Sequence, residues 1–289
     1  MTGALGLVGH AVAARVAADG ACVTRVDSVA SASEGVLGFD LANDVWPERN
    51  WTAIVHCAAK LPMKFDGAEA EAASAENRRL DDRAIDEASR CGAHLVYFSS
   101  GSVYGDTIGE IDEDTAPFPQ VGYAAEKLAS ECAIAARRVS ATIFRLVAPY
   151  GERQTRPTVL RRFIDLALGN QTLRYYGSGA RTQDFLHVDD VALAVSLAIA
   201  RRACGTWLLA SGVSTSMKQL AERVVELTAS TSSIEAAGVA DPEEGRRVDY
   251  RIDRLRNQLG FAPAVTLEDG IARWARTLRQ EREAGDTRA

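Results

Sequence analysis

The sequence predicts an α/β protein with a doubly wound parallel sheet. A glycine-rich stretch opens the chain, a helical pattern follows it, and short apolar runs then alternate with helical segments. Alternation at this pace is typical of a parallel sheet with helices on both faces. It is regular up to about residue 150 and less regular afterwards. We therefore expect a first domain over residues 1–150 and a smaller second domain over residues 151–289, some segments of which return to the first.

The composition is that of an ordinary globular protein, since 47% of the 289 residues are hydrophobic and 25% are charged. A formal net charge of −6 disfavours a nucleic-acid partner. No apolar run approaches the roughly 20 residues that span a membrane, and residues 1–20 lack the basic start of a signal peptide. The four histidines show no ligand spacing, so we expect no metal. We expect a cytoplasmic protein whose scattered cysteines are reduced core thiols, namely Cys22, Cys57, Cys91, Cys132 and Cys204.

The opening stretch, Thr2–Gly9, carries glycines at positions 3, 6 and 9. Glycine leaves no side chain where a tight turn brings backbone amides against a diphosphate at a helix N-terminus. A helix does follow, because Val8, Val12 and Val16 share one face and Gly20 is a suitable end. The glycine spacing differs from the dinucleotide-binding motif Gly-x-Gly-x-x-Gly, so the sequence does not match that motif itself. The physical mechanism of the motif still applies, because glycines at a turn before a helix let backbone amides approach a diphosphate. We expect a Rossmann-like nucleotide-binding domain.

The next strand, Cys22–Asp27, ends in an acid 18 residues after Gly9. At this place in a nucleotide-binding fold, a carboxylate accepts hydrogen bonds from the adenosine ribose hydroxyls and repels a 2′-phosphate. Asp27 therefore favours NAD over NADP. The nearby Arg25 and Ser28 leave NADP as an alternative cofactor. The alternative interpretation of Asp27 itself is a solvated carboxylate at a strand end that binds no cofactor.

The remaining elements of the first domain follow from apolar runs and one amphipathic stretch. Small residues after His56 would let a cofactor lie over the strand ends, and His56 itself is interpreted as a structural histidine. The predicted strands are Val36–Leu41, Ala53–Ala59, His94–Ser100 and Ala141–Leu146, and the predicted helix is Ala68–Arg90.

The second half is predicted from capping signals. We expect Pro157 in the first turn of a helix ending near Gly169, and Asp189 or Asp190 as the cap of a helix running to about Arg201. Beyond Glu281 the polar tail should fray. The other predicted elements are a strand at Asp184–Val188 and helices at Ser216–Val225 and Leu267–Gln280.

Tyr123 and Lys127 are four residues apart, so they lie one turn apart on one face of a helix. The pKa of a phenol is about 10, which makes it a poor base at neutral pH. A nearby ammonium favours the phenolate and lowers that pKa. The pair is thus suited to moving a proton on or off a hydroxyl, although the same spacing also occurs by chance on surface helices.

The motifs described so far stand in one collinear series with several others. These are Asp40-Leu41, His56-x-Ala-Ala59, Ser99-Ser-Gly-Ser-Val-Tyr-Gly105, Arg145 with Pro149-Tyr-Gly151, Gly177-x-Gly179, Asp184-Phe-x-x-Val-Asp-Asp190, and Leu259-Gly-Phe-x-Pro263 with Leu267-x-x-Gly270. Over nearly the whole chain the series resembles the extended short-chain dehydrogenase/reductase family, the NAD-dependent epimerase/dehydratases. The resemblance implies a Rossmann-like domain with a C-terminal substrate-binding domain.

The resemblance also implies roles for individual residues. The catalytic residues would be Ser100, Tyr123 and Lys127, with Tyr123 as the acid–base group. The substrate-binding residues would be Ser100, Ser102, Tyr123, Arg181 and Arg246. The cofactor-binding residues would be Gly3, Gly6, Leu7, Val8, Gly9, Asp27, Asp40, Leu41, Cys57, Ala58, Ala59, Asn77, Tyr123, Lys127 and Pro149, with Asn77 in a supporting role.

The sequence departs from the family pattern at several places. Dehydratases that resemble this chain carry Asp-Glu where it has Gly101 and Ser102, which disfavours dehydration. Gln183 replaces an arginine that clamps the substrate diphosphate, although Arg181 lies two residues back on the same strand face. The other changed positions are Leu80-Asp81, where Gly-Thr is usual, and Glu243-Glu244-Gly245-Arg246, where Arg246 or Arg247 would substitute for the family's arginine.

The family's first strand is missing, since the chain starts directly on the glycine turn. A central parallel strand is buried and hydrogen-bonded on both edges, so its loss would leave neighbouring strand edges unpaired. We therefore expect the native gene product to begin upstream, with roughly five to eight more residues of apolar strand.

The first hypothesis for function is an NAD-dependent nucleotide-sugar epimerase that oxidises its substrate transiently to a keto sugar. The alternative is an NAD(P)-dependent reductase of a keto sugar or another carbonyl compound. A non-catalytic nucleotide-binding protein is the third. The resemblance further implies a homodimer through residues 68–90 and 123–137, and the second segment offers apolar surface on Ala124, Ala125, Leu128, Cys132, Ile134 and Ala135.

Overall fold

This computed structural model describes residues 1–62, 67–120 and 122–286. Its helices are α1 (Leu7–Ala18), α2 (Gly67–Cys91), α3 (Gly122–Ala136), α4 (Val159–Leu168), α5 (Val188–Arg201), α6 (Met217–Leu227), α7 (Asp253–Leu259) and α8 (Leu267–Asp286), with a 3₁₀ helix at Gly101–Tyr104. Its strands are β1 (Val26–Asp27), β2 (Leu37–Gly38), β3 (Ala53–His56), β4 (His94–Ser100), β5 (Gly109–Ile111), β6 (Ala141–Leu146), β7 (Pro149–Tyr150), β8 (Leu173–Tyr175), β9 (Thr182–Asp184), β10 (Leu186–His187), β11 (Gly205–Leu209), β12 (Ser214–Ser216), β13 (Ile234–Ala236) and β14 (Val248–Tyr250).

A parallel sheet forms the centre of the molecule, with the strand order β3-β4-β6-β11. Successive residues of β4 point to opposite faces, and each face has its own core. Val96 packs with residues of α1 and α5, such as Val12 and Val195. Leu95 packs on the other face with residues of α2 and α3, such as Ile85. Helices therefore cover both faces, which confirms the doubly wound α/β fold.

The gap between β1 and β3 is spanned by Met1 and Thr2. Thr2 forms parallel bridges to Val26 on one side and to His56 on the other. Its amide donates to the Val55 carbonyl at 3.0 Å, and the Val26 amide donates to the Met1 carbonyl at 2.9 Å. These two residues thus satisfy the neighbouring strand edges close to the glycine turn, where unpaired edges were expected.

A third core lies in the C-terminal half, between α4, α6 and α8. Phe163, Leu220 and Trp274 are fully buried there, one from each of these helices. Between these elements the chain returns to the central sheet through α5 and β11, which pairs in parallel with β6. The domain division at residue 150 stays a prediction.

Several predicted element boundaries are wrong. Thr158 caps α4 by accepting from the Arg161 amide, so Pro157 precedes the helix instead of lying in its first turn. His187 caps α5, and both Asp189 and Asp190 lie inside its first turn. The predicted strand at 184–188 is divided between β9 and β10, the first of which starts two residues earlier at Thr182. Both strands between residues 22 and 41 are shorter than expected, and the last helix continues to Asp286.

The cysteines also differ from expectation. All five are free thiols, as expected for reduced cysteines. The expectation of a core position fails for Cys22, Cys132 and Cys204, which are exposed. No helix in the described parts of the chain is both long enough and apolar enough to cross a membrane.

Candidate active site

The glycine turn is held by close backbone approaches that exclude side chains. Gly3 has a φ of +65°, and a Cβ atom there would lie 2.6 Å from the Ala58 amide nitrogen. A Cβ on Gly9 would overlap the Gly3 carbonyl oxygen. The first helix then starts after Gly6 without any side-chain cap. Its N-terminal amides are therefore suited to an anion such as a diphosphate.

A cavity of about 470 Å³ adjoins this turn. Asp27 lies at its edge, where its Oδ2 atom accepts from the Leu5 amide at 2.9 Å. The carboxylate is thereby fixed next to the turn, with Oδ1 turned to the Ser28 hydroxyl at 3.3 Å. Other residues predicted to bind the cofactor line the same cavity, namely Gly3, Gly6, Asp40, Leu41, Cys57, Ala58 and Ala59. The glycine turn and the small residues of this lining leave room that fits a dinucleotide.

Other residues predicted to bind the cofactor lie outside the lining of this cavity. Leu7 lines a separate cavity between α1 and α5, and Val8 packs against the hydrophobic core. Pro149 pairs with Leu186 in the β7–β10 ladder. Asn77 is fully buried and exchanges two hydrogen bonds with the Lys60 backbone, at 2.7 and 2.9 Å. Asn77 therefore supports the loop after β3, and its predicted role stays a supporting one.

Lys127 projects from α3 into a buried polar cluster, where its side chain is only 3% exposed. Its ammonium donates to the Tyr97 hydroxyl at 3.0 Å and to Asp81 Oδ2 at 3.4 Å. The Tyr97 hydroxyl in turn donates to the same Asp81 oxygen. Asp81 Oδ1 contacts His56 Nε2 at 2.9 Å, so the lysine is held from several sides.

The charges in this cluster shift several pKa values. Burial alone would raise the pKa of Asp81, but Lys127 and His56 bring it well below its ordinary value. Burial alone would lower the pKa of Lys127, but Tyr97 and Asp81 raise it above its ordinary value. Burial raises the pKa of Tyr123, because the opposing effect of Lys127 is smaller and Asp81 adds to the rise. Lys127 does act on Tyr123 in the expected direction, but burial outweighs it, so the pKa of Tyr123 is raised above its ordinary value.

Another cavity, of about 290 Å³, opens beside the carboxyl end of β4. It is lined by four residues predicted to bind substrate, namely Ser100, Ser102, Arg181 and Arg246. Ser100 Oγ accepts from the Ser102 hydroxyl at 2.8 Å and from the Ser102 amide at 3.1 Å. A Cβ on Gly101 would lie 2.8 Å from Val147 Cγ2, so this position leaves no room for a larger side chain without rearrangement.

Two arginines of this cavity share one carboxylate. Glu243 contacts Arg181 at 3.1 Å and Arg246 at 3.5 Å, and about half of its side chain is exposed. Arg181 is also held by the buried Asp241 at 2.9 Å. Arg181 further lines a larger cavity, of about 600 Å³, in the C-terminal half, together with Arg162, Arg174, Tyr175 and Tyr176. The arginines are thus available to an anion that competes with Glu243.

The family model described as the NAD dependent epimerase/dehydratase family matches residues 1–207 of the chain. The chain belongs to this family. Membership confirms the predicted family, the predicted type of enzyme and the predicted cofactor NAD.

This member of the epimerase/dehydratase family is moderately similar in sequence to several named proteins. It is 30% identical to dTDP-glucose 4,6-dehydratase of Streptomyces griseus, over 76% of this chain and 69% of that protein. It is 27% identical to UDP-glucose 4-epimerase of Mycolicibacterium smegmatis, over 97% of this chain and 98% of that protein. Among solved structures, MoeE5 in complex with UDP-glucose and NAD is 25% identical with a TM-score of 0.82, covering 97% of this chain and 98% of that one.

Sequence reasoning missed most of the polar cluster of this family member. Asp81 stood out as a departure from the usual Gly-Thr, but nothing in the sequence linked it to Lys127. Tyr97 looks like a core residue of an apolar strand, and His56 was interpreted as structural. The available signal was the spacing of Asn77, Asp81 and Ala84, which places two polar residues on the buried face of α2.

Proposed function

We propose that this protein is a nucleotide-sugar epimerase that oxidises one sugar hydroxyl transiently to a ketone and reduces it again on the other face. The observation that carries the proposal is the hydroxyl pair Ser100 and Ser102, which lines the cavity at the carboxyl end of β4 with Gly101 between them. Dehydration needs acid–base groups beyond those of hydride transfer, and neither Gly101 nor Ser102 can supply a carboxyl group there. The buried Asp184 of the same cavity is held by the backbone amides of Ser211, Gly212 and Val213.

The chain's own groups have clear tasks in such a reaction. Tyr123 takes the proton of the reacting hydroxyl and later returns it. Ser100 receives two hydrogen bonds from Ser102, which leaves its own hydroxyl proton to donate to the reacting oxygen. Lys127 provides the positive charge that stabilises the phenolate. Bound NAD supplies the hydride acceptor and donor.

The cofactor is held by the first half of the chain. The amides after Gly6 bind the diphosphate at the start of α1, and Asp27 accepts from the adenosine ribose. The small residues after β3 form the surface over which the cofactor lies, namely Cys57, Ala58 and Ala59. The carboxylate next to the turn repels a 2′-phosphate, which supports NAD over NADP.

The substrate is bound between the two halves of the chain. Arg181 and Arg246 bind the diphosphate of a nucleotide sugar in place of Glu243, because arginine pairs strongly with phosphate oxygens. The nucleoside lies in the larger cavity beside Tyr175 and Tyr176. The similarity to UDP-glucose 4-epimerase and to MoeE5, which binds UDP-glucose and NAD, supports a nucleotide sugar as the substrate class.

The test is incubation of the purified protein with NAD and a panel of UDP-, dTDP- and GDP-sugars. An epimerase gives an isomer of equal mass and consumes no cofactor. A product lighter by one water would show a dehydratase, and a product formed only with stoichiometric NADH or NADPH would show a reductase. No product with any of these sugars would contradict the proposal.

We also propose the assembly and location that the family resemblance implies. The protein is a homodimer in which α2 and α3 pair with their copies. Ala125, Cys132 and Ala135 are exposed on α3 and are available for contact, whereas Ala124 and Ile134 are already buried within the chain. The free cysteines support a reducing, cytoplasmic location.

A further inference from the structure

Asp81 is the centre of the buried cluster behind the proposed acid–base residue. The aspartate itself is fully buried. Its Oδ1 atom contacts His56 Nε2 at 2.9 Å, and that imidazole contacts the Thr2 hydroxyl at 2.8 Å through Nδ1. Its Oδ2 atom accepts from Tyr97, from Lys127 at 3.4 Å and from Ser130 at 2.8 Å. One carboxylate therefore ties α2 to β3, β4 and α3.

The cluster also places a negative charge against the ammonium that should stabilise a phenolate. Lys127 and Asp81 are both almost fully buried, so little solvent screens their interaction. The titratable groups that face Asp81 are His56 on β3, Tyr97 on β4, and Tyr123, Glu126 and Lys127 on α3. Among these groups the permanent cation is Lys127, and Asp81 is its carboxylate partner. Arg156 also acts on Tyr123, and its charge lowers the pKa of that phenol, as the charge of Lys127 does.

We propose that Asp81 is a positioning residue that fixes the Lys127 ammonium and offsets its charge, so that Tyr123 keeps its proton at neutral pH in the free protein. This inference rests on the proposed role of Tyr123 as the acid–base group. A reaction that needs the Tyr123 phenolate then speeds up as the pH rises into the alkaline range. The direction of the Tyr123 pKa, raised by burial and further by Asp81, agrees with this arrangement.

The first measurement follows the ionisation of Tyr123 directly, by NMR titration of protein labelled with ¹³C at tyrosine Cζ. The Tyr123 resonance is assigned with Tyr123→Phe. In the wild type it should remain that of a phenol up to about pH 9.5, since the ordinary pKa is about 10. A wild-type Tyr123 that ionises below about pH 8 would overturn the proposal, whatever the variants do.

The second measurement compares Asp81→Asn with the wild type. The amide keeps the shape of the side chain and removes its charge, so Tyr123 should ionise about one pH unit lower. The rising limb of kcat/KM against pH should move down by the same amount. Equal ionisation of Tyr123 in both proteins would overturn the proposal.

Two variants control for effects other than charge. Asp82→Asn removes a carboxylate from the same helix, but that side chain is partly exposed and pairs with Arg137 at 3.1 Å. Tyr97→Phe removes a buried hydrogen bond to Asp81 and one from Lys127, and leaves the charges of both residues in place. Neither should lower the pH at which Tyr123 ionises, and a shift equal to that of Asp81→Asn in either would overturn the proposal.

The titration of Glu126 and the folding of Asp81→Asn could each affect the comparison. Glu126 has a pKa raised to about 7, mainly by burial and also by Asp81, so it titrates within the range measured. The comparison is therefore repeated in a Glu126→Gln background.

Removing the charge of Asp81 leaves the buried ammonium of Lys127 without a carboxylate partner and threatens folding. If Asp81→Asn does not fold, Asp81→Ser is used in its place, because the smaller side chain leaves space for water at Lys127. The titration of Tyr123 in the wild type tests the proposal even if neither variant folds.

The NMR titration needs no substrate, so it stands even if the protein turns over no sugar. In that case the proposed function fails and the role of Asp81 is decided separately. Conversely, unchanged turnover in Tyr123→Phe would remove the acid–base role while the ionisation behaviour of the cluster remained as described.

Discussion

The Ser102 hydroxyl donates a hydrogen bond of 2.8 Å to Oγ of Ser100, the oxygen that we place next to the reacting group of the substrate. The Ser102 amide donates to the same atom at 3.1 Å. With both lone-pair directions of Ser100 engaged, its own proton can point only towards the cavity. Ser102 therefore orients the hydroxyl that polarises the substrate.

Ser102→Ala should lower kcat by about 3–10-fold, which corresponds to one neutral hydrogen bond. KM should change little, because the Ser100 hydroxyl and both arginines remain. Ser102→Thr retains the hydroxyl and serves as the matched control, with activity close to that of the wild type. Steady-state kinetics on the best sugar substrate checks this, and an equal loss in both variants would contradict it.

Tyr123→Phe should lower turnover by about 10²–10⁴-fold, because it removes the hydroxyl that transfers the proton and keeps the ring. NAD binding should persist, since the glycine turn and Asp27 are untouched. Turnover and NAD affinity are measured on the same preparation. Unchanged turnover would remove the central claim of the proposed mechanism.

Asp27→Ala should weaken NAD binding and reduce the preference for NAD over NADP. The variant loses the ribose acceptor, the charge that repels a phosphate, and the partner of the Leu5 amide. Asp27→Asn is the control, because its side-chain oxygen still accepts from Leu5 while the charge is gone. It should reduce the discrimination against NADP and weaken NAD binding less than Asp27→Ala does. Tighter binding of NADP than NAD by the wild type would show that Asp27 has been assigned wrongly.

Three strands of the central sheet, β3, β4 and β6, could be predicted from sequence because they are continuous apolar runs, whereas β11 was not predicted. The predicted bounds of β4 and β6 match the structure, since both strands are buried on two faces. The short strands β5, β12, β13 and β14 were not predicted. Each has three residues, too few for any periodic pattern, and each is defined by a partner distant in the chain.

The buried cluster shows why part of the site could not be predicted. His56, Asp81, Tyr97 and Lys127 lie on four separate elements and meet only after the sheet has formed. Each residue alone has an ordinary explanation in the sequence, as a strand end, a helix charge or a core aromatic. The glycine turn was predictable because its residues are local and their chemistry depends on the backbone.

The assembly can be tested through the exposed face of α3. Cys132→Arg places a charge on the surface that we propose to be buried between two copies, so it should shift the protein from dimer to monomer. Ala18→Arg is the control, because α1 packs on the opposite face of the sheet and Ala18 is exposed. Sedimentation or light scattering at micromolar concentration measures the mass. A monomeric wild type would reject the dimer.

The last prediction concerns Glu126, a carboxylic acid on α3 that is only 8% exposed. Its Oε2 atom finds no hydrogen-bond partner among the described residues, and Oε1 accepts from Ser130 at 3.4 Å. Burial, and next the charge of Asp81, raise its pKa to about 7. The folded protein therefore holds this proton at pH values where the unfolded chain, with an ordinary carboxyl near 4.3, has released it.

A group whose pKa is raised by folding lowers stability as the pH increases between its unfolded and folded values. Glu126→Gln removes this effect, because the amide does not titrate. The variant should match the wild type most closely below about pH 4 and gain on the order of 1–3 kcal/mol relative to it above pH 7. The exposed Glu71 on α2 provides the control, as Glu71→Gln should leave the pH dependence unchanged. Urea denaturation at several pH values measures the difference, and a gain that does not vary with pH would contradict a raised pKa for Glu126.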